Sequence, residues 1–170
     1  FFNSSLRTRT SFDIGVRQLG GHAVILEPGK GAWPIGFEPA MVMDGEEEEH
    51  IAEVARVLSR YADLIGVRAF PQFVDWQKDR RDHVIRSVAE YASVPVINME
   101  SCLWHPLQAL ADLLTLRESL GQLGGNKLAI VWTRSPQPAS PSVVNSILHG
   151  ALRSGMNVSI AHPPGYELDD

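Results

Sequence analysis

The sequence predicts an α/β fold in which parallel sheets are covered by helices. Short apolar runs bounded by turn residues alternate with amphipathic stretches of helical period, which is the pattern of repeated strand–helix units. Hydrophobic residues make up 44% of the chain and charged residues 21%, as in ordinary globular proteins with a sizeable core. A length of 170 residues allows one complete α/β domain, or one domain and part of a second.

The first part of the chain is predicted to contain three helices separated by strands. Gly20 and Gly21 end the first helix, and Asp44 and Gly45 begin the second, whose acidic first turn suits the helix dipole. The predicted elements are a helix over 8–19, a strand over 22–26, a helix over 46–61, a strand over 64–67, a helix over 79–91 and a strand over 94–99.

The rest of the chain continues the alternation. The predicted elements are a helix over 105–120 ended by the glycines of 121–125, a strand over 127–132, a Pro- and Ser-rich loop over 133–141, a helix over 142–153 and a strand over 157–161. We expect a first domain over 1–102, an interdomain helix over 103–124 and a second domain beginning at 125–170. Both ends of the chain are expected to be cut, so that neither domain is complete.

Charge and motif content exclude several classes of function. The net charge of −5 gives no general attraction to nucleic acid or to anionic membranes, and no apolar run approaches the about 18 residues of a membrane span. Glycine-rich dinucleotide and nucleoside triphosphate motifs are absent from the sequence. His50 and His83 lack companions at metal-ligand spacing, and Cys102 is the single cysteine. We therefore predict no metal, no cofactor and a cytoplasmic location.

An anion site is predicted at Ser5-Leu6-Arg7-Thr8-Arg9-Thr10, where hydroxyl and guanidinium groups stand at the start of a helix. Free N–H groups at a helix start point at a bound anion, the helix dipole adds favourable potential, and arginine forks match phosphate oxygens. The alternative is an ordinary Ser or Thr helix cap with exposed arginines.

Three motifs in order resemble those of the aspartate and ornithine carbamoyltransferases. The run at 2–10 resembles the Ser-Thr-Arg-Thr-Arg signature, with Leu6 in place of the usual Thr. Gly66-Val67-Arg68 delivers an arginine at a strand end, and His105-Pro106-Leu107-Gln108 resembles the His-Pro-x-Gln motif. The resemblance covers nearly the whole chain. It implies the two-domain carbamoyltransferase fold, truncated at both ends, and a fragment that is inactive by itself.

Further motifs resemble the enzymes that act on acylated ornithine. They are Gly31-Ala32-Trp33, Met43-Asp44-Gly45 and Asn98-Met99-Glu100. The implied reaction moves the carbamoyl group of carbamoyl phosphate to the side-chain amine of N-acetyl-L-ornithine, giving N-acetylcitrulline and phosphate in arginine biosynthesis. N-succinylornithine and ornithine remain alternative acceptors. A non-catalytic anion-binding or assembly protein is the alternative of a different class.

The resemblance also implies roles for single residues in carbamoyl phosphate binding. Arg68 and His105 polarise the carbamoyl oxygen, and Gln108 orients the carbamoyl amide, so these three are the expected catalytic residues. By itself, a histidine such as His105 before a proline is more often a helix-start or packing residue than a catalytic one. The phosphate is assigned to Ser5, Leu6, Arg7, Thr8 and Arg9.

Trp33 lies in a loop rich in Gly and Pro, where an exposed indole calls for an explanation. In the resembling enzymes this tryptophan reaches into the active site of a neighbouring subunit, which implies a homotrimer. Packing within its own subunit is the alternative.

Three residues are expected to meet the acylornithine. Glu48 occupies a position where the acetylornithine enzymes carry Glu and the succinylornithine enzymes carry Pro, and its charge would repel a succinyl carboxylate. The alternative is that all of Glu46 to Glu49 form a solvated first helical turn. Other segments, 105–108 and 162–166, look closer to the succinylornithine enzymes, so the acyl group stays open.

Glu100 follows the last strand of the first domain, where it could meet the cationic or amide part of the second substrate at the interdomain cleft. A surface carboxylate at a hinge is its alternative interpretation. Asn145 stands at a helix start after a loop, 134–141, that resembles the second-substrate loop of the same enzymes. It is the expected amide partner of the substrate, although the prolines of this loop also simply stiffen a connection.

Overall fold

The structure is a computed structural model that describes residues 1–137 and 139–168. Its helices are α1 (Arg7–Gln18), α2 (Ile51–Tyr61), α3 (Trp76–Asp79), α4 (His83–Tyr91), α5 (Pro106–Leu120) and α6 (Ser142–Arg153). Its strands are β1 (Ile35–Gly36), β2 (Glu49–His50), β3 (Ile65–Arg68), β4 (Val96–Glu100), β5 (Lys127–Val131) and β6 (Asn157–Ala161). The strands pair as β1–β2, β3–β4 and β5–β6. The first and last of these pairs are parallel, as the α/β prediction requires.

The chain divides into two compact units. The first comprises Phe1–Ala69 and His83–Ile97, and the second comprises Phe70–Asp82 and Asn98–Asp170. The domain boundaries expected after residues 102 and 124 do not coincide with this division, and they stay a prediction. Within the described ranges, no helix is long and apolar enough to cross a membrane.

The core of the first unit brings α2 and α4 against β3. Its buried members are Ile51, Ala55, Val67, Ala69 and Val88. Arg68 therefore lies between two core residues, and its backbone is fixed by burial of its neighbours on both sides. The hydrophobic positions of α2 fall on one face, which explains why a helix forms here.

Two predictions for the first unit are wrong: one strand is absent, and one helix begins later than predicted. Residues 22–26 form no strand, and Val24 is exposed, because no described segment pairs with them to supply ladder hydrogen bonds. The second helix begins at Ile51 rather than near residue 46, because Glu49–His50 pairs with Ile35–Gly36 as a short parallel ladder. The cap is His50, whose Nδ1 accepts the N–H of Ala52 at 3.2 Å. The acidic run therefore lies outside the helix, and its interpretation as a solvated first turn is also wrong.

The helix predicted over 79–91 is interrupted at Asp82. This residue has φ of +50°, a left-handed conformation that ends helical hydrogen bonding between α3 and α4. The strain is offset by side-chain contacts in the second unit: Asp82 Oδ1 accepts the N–H of Cys102 at 2.7 Å, and Oδ2 accepts the Ser101 hydroxyl at 2.8 Å.

From α5 to β6 the second unit follows the predicted pattern closely. Helix α6 and strand β6 have the predicted bounds, and α5 and β5 differ from prediction by one residue at one end. The strands β5 and β6 pair in parallel register from Lys127 with Asn157 to Val131 with Ala161. Helices α5 and α6 approach closely at Gly150, where an added Cβ would meet Leu113 Cδ1 at 2.9 Å.

Candidate active site

The segment that was predicted to bind an anion leads directly into α1. Leu6 occupies the cap position with helical dihedral angles, φ −83° and ψ −59°, and no side chain caps the helix there. The alternative of an ordinary Ser or Thr cap is therefore wrong. Leu6 is 83% exposed, and Arg7 and Arg9 are exposed beside it. Uncapped first-turn N–H groups next to guanidinium groups have the chemistry of an anion site.

The two arginines of this segment differ in their surroundings. Arg9 Nη1 forms an ion pair with Glu27 Oε2, whereas Arg7 makes no ion pair with any residue that the structure describes. Lys30 Nζ donates to Ser4 Oγ at 2.8 Å, which places a further cation beside the same segment. Sequence reasoning missed Lys30, because it lies in a separate loop and no motif marks it.

Arg68 ends strand β3 and is only 8% exposed. The N–H of Phe2 donates to the Arg68 carbonyl at 3.0 Å, so the chain leading to Ser5 is fixed to the end of this strand. The first unit thus connects the backbone of the predicted anion segment with that of the predicted catalytic arginine.

Trp33 and Glu48 are both exposed in the first unit. Trp33 Nε1 donates to Glu49 Oε2 at 3.0 Å, while 53% of the residue's surface remains exposed. The residues that the structure describes therefore cover less than half of this side chain. Glu48 directly precedes β2, and in sequence it is the neighbour of Glu49, which accepts the hydrogen bond from Trp33.

In the second unit, Glu100 and His105 face each other. His105 Nε2 lies 3.2 Å from Glu100 Oε2, and both side chains are largely buried. Glu100 Oε1 accepts the hydroxyl hydrogen of Ser142 at 3.1 Å. Glu100 is therefore not the surface carboxylate of the alternative interpretation, because it is held in a buried hydrogen-bonded group.

The backbone around His105 is fixed by α6. The His105 N–H donates to Ser146 Oγ at 2.7 Å, and Asn145 Nδ2 donates to the Leu103 carbonyl at 3.1 Å. The Ser140 hydroxyl donates to the Cys102 carbonyl at 2.6 Å. Together with Asp82, these side chains hold the loop between β4 and α5, so His105 enters the helix start in a defined position.

Gln108 lies in the first turn of α5 and is exposed. Its Nε2 donates to Asp112 Oδ1 at 2.9 Å, four residues further along the same helix. The amide is thus available at the surface, with one of its hydrogens engaged by a neighbouring carboxylate. The Asn145 amide, by contrast, donates one of its hydrogens to the backbone carbonyl of Leu103.

The sequence missed four polar residues that organise this part of the molecule: Asp82, Ser140, Ser142 and Ser146. Their partners lie 19 to 42 residues away along the chain, so local patterns give no sign of them. No group of three His, Cys, Asp or Glu side chains among the described residues is arranged to hold a metal ion.

Residues 1–118 match the family model described as the aspartate/ornithine carbamoyltransferase, carbamoyl-P binding domain. The chain belongs to this family. An N-acetylornithine carbamoyltransferase from Xanthomonas campestris pv. campestris is 59% identical over 173 residues, which cover 100% of this chain and 51% of that protein. An N-succinylornithine carbamoyltransferase from Bacteroides fragilis is 37% identical and covers 99% of this chain and 53% of its own length.

The fold matches solved structures of the same family. The crystal structure of acetylornithine transcarbamylase complexed with acetylcitrulline is 59% identical and superposes with a TM-score of 0.94, covering 99% of this chain and 51% of that one. The expected carbamoyltransferase fold is therefore confirmed. The chain spans about half the length of the relatives it matches.

Proposed function

We propose that the full-length protein containing this chain transfers the carbamoyl group of carbamoyl phosphate to the side-chain amine of N-acetyl-L-ornithine, forming N-acetylcitrulline and phosphate in arginine biosynthesis. The observation that carries this proposal is the 59% identity, over the whole chain, to an N-acetylornithine carbamoyltransferase, against 37% to an N-succinylornithine enzyme. One related structure holds acetylcitrulline, and the structure of a mutant N-acetyl-L-ornithine transcarbamylase holds carbamyl phosphate with N-succinyl-L-norvaline.

The phosphate is assigned to the start of α1. Ser5, Thr8 and the backbone at Leu6 supply neutral donors, and Arg7 supplies a charged fork. Arg9 contributes positive potential, although its guanidinium is already paired with Glu27. These groups stabilise the phosphate most as it leaves, because negative charge builds on its oxygens during the reaction.

The carbamoyl group is assigned to Arg68, His105 and Gln108. The amine attacks the carbamoyl carbon, and electron density moves onto the carbonyl oxygen. N–H donors from arginine and imidazole lower the energy of that oxygen, and the glutamine amide fixes the orientation of the carbamoyl nitrogen. This direct attack involves no covalent enzyme intermediate.

The acylornithine is assigned to Glu48, Glu100 and Asn145. Glu48 is exposed, and a residue that discriminates between acetyl and succinyl groups must be accessible to the substrate. Glu100 and Asn145 are held by protein partners, which fixes the positions of their side chains before the substrate binds.

We further propose a homotrimer in which Trp33 enters the site of a neighbouring subunit. The exposure of its indole and the hydrogen bond that fixes it to Glu49 support this arrangement. Mixing Trp33→Ala with Arg68→Ala protein, each inactive alone, should restore about a quarter of the sites, because only mixed neighbours pair an intact Trp33 with an intact Arg68. No recovery after subunit exchange would contradict a shared site.

The experiment that tests the proposed function incubates the full-length protein with carbamoyl phosphate and N-acetylornithine, and identifies the product by mass spectrometry. N-acetylcitrulline released together with phosphate supports the proposal. Binding of carbamoyl phosphate without transfer to any amine would favour the non-catalytic anion-binding protein. The cytoplasmic location and the inactivity of the 170-residue chain alone stay predictions.

A further inference from the structure

Lys30 places an ammonium group beside the segment to which the phosphate is assigned. Its Nζ donates to Ser4 Oγ at 2.8 Å, and Ser4 directly precedes Ser5 in the chain. Lys30 and Ser4 are both exposed, so a solvent-borne anion can reach them. Both residues belong to the first unit, so their contact is internal to one compact body.

The loop that carries Lys30 is closed by backbone hydrogen bonds. The Glu27 carbonyl accepts the N–H groups of Lys30 and Gly31, each at 3.0 Å. Gly29 has φ of +78°, a left-handed conformation that glycine adopts without strain, and its N–H donates to the Ala32 carbonyl at 2.8 Å. The backbone of Lys30 is therefore held in a tight turn, and its side chain starts from a fixed point.

The segment that leads to the start of α1 contacts both the chain before Lys30 and the end of strand β3. The Phe1 nitrogen donates to the Leu26 carbonyl at 2.8 Å, and the next N–H, that of Phe2, donates to the Arg68 carbonyl at 3.0 Å. Leu26 leads directly into the loop of Lys30. The first unit therefore brings the chain segments that carry Lys30 and Arg68 to the same segment before α1.

The charges around this segment show what a lysine adds to it. A phosphate group attached through one oxygen carries about 1.5 to 2 negative charges near pH 7. Arg9 is paired with Glu27, so that pair adds little net charge. Arg7 and Lys30 form no ion pair with any residue that the structure describes. Together these two side chains supply two positive charges, which match the charge of the anion.

We propose that Lys30 is a further binding residue for the phosphate of carbamoyl phosphate, acting beside Ser5 and Arg7 of its own chain. The proposal rests on the proposed function. An ammonium has three hydrogens, and Ser4 accepts one of them, which leaves two for phosphate oxygens. The contact with Ser4 also orients the long side chain before the ligand binds, which reduces the conformational entropy lost on binding.

A purely structural role for Lys30 makes a different prediction. If the lysine only holds its loop against the segment before α1, its hydrogen bond to Ser4 is the contact that matters, and removing either partner should have the same effect. If the ammonium binds phosphate directly, loss of its charge should weaken binding far more than loss of the Ser4 hydroxyl.

The experiment is isothermal titration calorimetry of the full-length protein with carbamoyl phosphate and, separately, with inorganic phosphate. Lys30→Met removes the charge and keeps most of the side-chain length, and it should weaken the binding of both ligands by about 5- to 20-fold, because they share the phosphate. Lys30→Arg restores the charge and should recover most of this affinity. Lys127→Met, the same change at an exposed lysine on β5, should leave both dissociation constants unchanged.

Ser4→Ala is the second variant, because it keeps the ammonium and removes only the oxygen that orients it. We expect it to change both dissociation constants by less than about threefold, as for loss of one exposed hydrogen bond. Equal losses in Ser4→Ala and Lys30→Met would overturn the proposal and assign Lys30 a structural role. Unchanged binding of both anions to Lys30→Met would overturn it as well.

Transfer assays on the same proteins separate the role of Lys30 from the proposed function. If Lys30→Met weakens the binding of both anions as predicted but the native protein carbamoylates no amine, the Lys30 site stands and the proposed function fails. If the native protein transfers the carbamoyl group and Lys30→Met binds both anions normally, the proposed function stands and Lys30 is not a phosphate ligand. A native protein that binds neither anion would contradict both.

Discussion

The hydroxyl of Ser146 accepts a hydrogen bond of 2.7 Å from the backbone N–H of His105, a residue 41 positions earlier in the chain. This contact satisfies a main-chain donor at the start of α5, where no preceding helical turn supplies an acceptor. It also fixes the backbone that carries the imidazole. Helix α6 therefore fixes the backbone position of His105 through the side chain of Ser146.

Ser146→Ala should lower the free energy of unfolding by about 1–3 kcal/mol, because a buried N–H loses its acceptor. Urea unfolding followed by circular dichroism measures the effect. Ser119→Ala is the matched control, since Ser119 is exposed on α5 and bonds only to its own helix. Equal stability of the two variants would contradict a structural role for Ser146.

Arg7→Gln should weaken carbamoyl phosphate binding by about 10- to 100-fold, the equivalent of one charged hydrogen-bonding group. Isothermal titration calorimetry of the full-length protein gives the dissociation constant. Arg17→Gln changes the same residue type near the other end of α1, where Arg17 pairs with Asp13, and should leave binding unchanged.

Arg9→Gln should have a smaller effect than Arg7→Gln, because Glu27 already neutralises much of the Arg9 charge. The same titration compares the two variants at equal ionic strength. A larger loss from Arg9 than from Arg7 would show that the Glu27 pair breaks on binding and that Arg9 is the principal phosphate ligand.

Trp33→Phe should change the free energy of unfolding by less than about 0.5 kcal/mol, because the residue is 53% exposed. The same variant should nevertheless lower kcat/KM, since we propose that the indole contributes to the active site of a neighbouring subunit and not to the hydrophobic core. Ile51→Ala provides the contrast: this residue is 2% exposed in the first core, and its truncation should cost about 2–5 kcal/mol. A destabilised Trp33→Phe would indicate ordinary packing instead.

Glu48→Pro should raise the ratio of kcat/KM for N-succinylornithine to that for N-acetylornithine by roughly tenfold or more, because a repelling carboxylate is removed. Glu48 lies outside α2, so proline breaks no helix there. Glu46→Pro, at an exposed residue two positions earlier in the same acidic run, is the control and should leave the ratio unchanged. Equal ratios in all three proteins would exclude Glu48 from acyl selection.

The part of the second unit from α5 to β6 could be predicted from sequence almost residue by residue, for clear physical reasons. Pro106 at the first helical position and Gly121 after the last one mark the ends of α5. The strands β5 and β6 are short apolar runs between turn residues, and they pair in the simple parallel register that a strand–helix–strand unit produces.

The start of α2 was mispredicted because a local pattern competes with a distant one. Four glutamates before an apolar helical period suit a first turn, yet Glu49 pairs across the chain with Ile35. Nothing near residue 49 signals that pairing. The left-handed turn at Asp82 was missed for the same reason, since its compensating partners are Ser101 and Cys102.

In the candidate site, too, local motifs are predictable and distant contacts are not. The arginines, His105 and Gln108 belong to motifs that can be recognised in the sequence, and their residue types indicate their chemistry. Ser142 and Ser146 are serines on an amphipathic helix, and sequence does not show which buried groups they meet. The contact between Glu100 and His105 likewise needed the loop geometry between β4 and α5.

The most direct measurement is kcat/KM of the full-length protein for carbamoyl transfer to N-acetylornithine, N-succinylornithine and ornithine, each offered separately with saturating carbamoyl phosphate. We expect N-acetylornithine to exceed both others by at least about tenfold, a difference of about 1.4 kcal/mol in transition-state binding. A preference for ornithine or N-succinylornithine, or no transfer to any of the three, would contradict the proposed acetylornithine carbamoyltransferase activity.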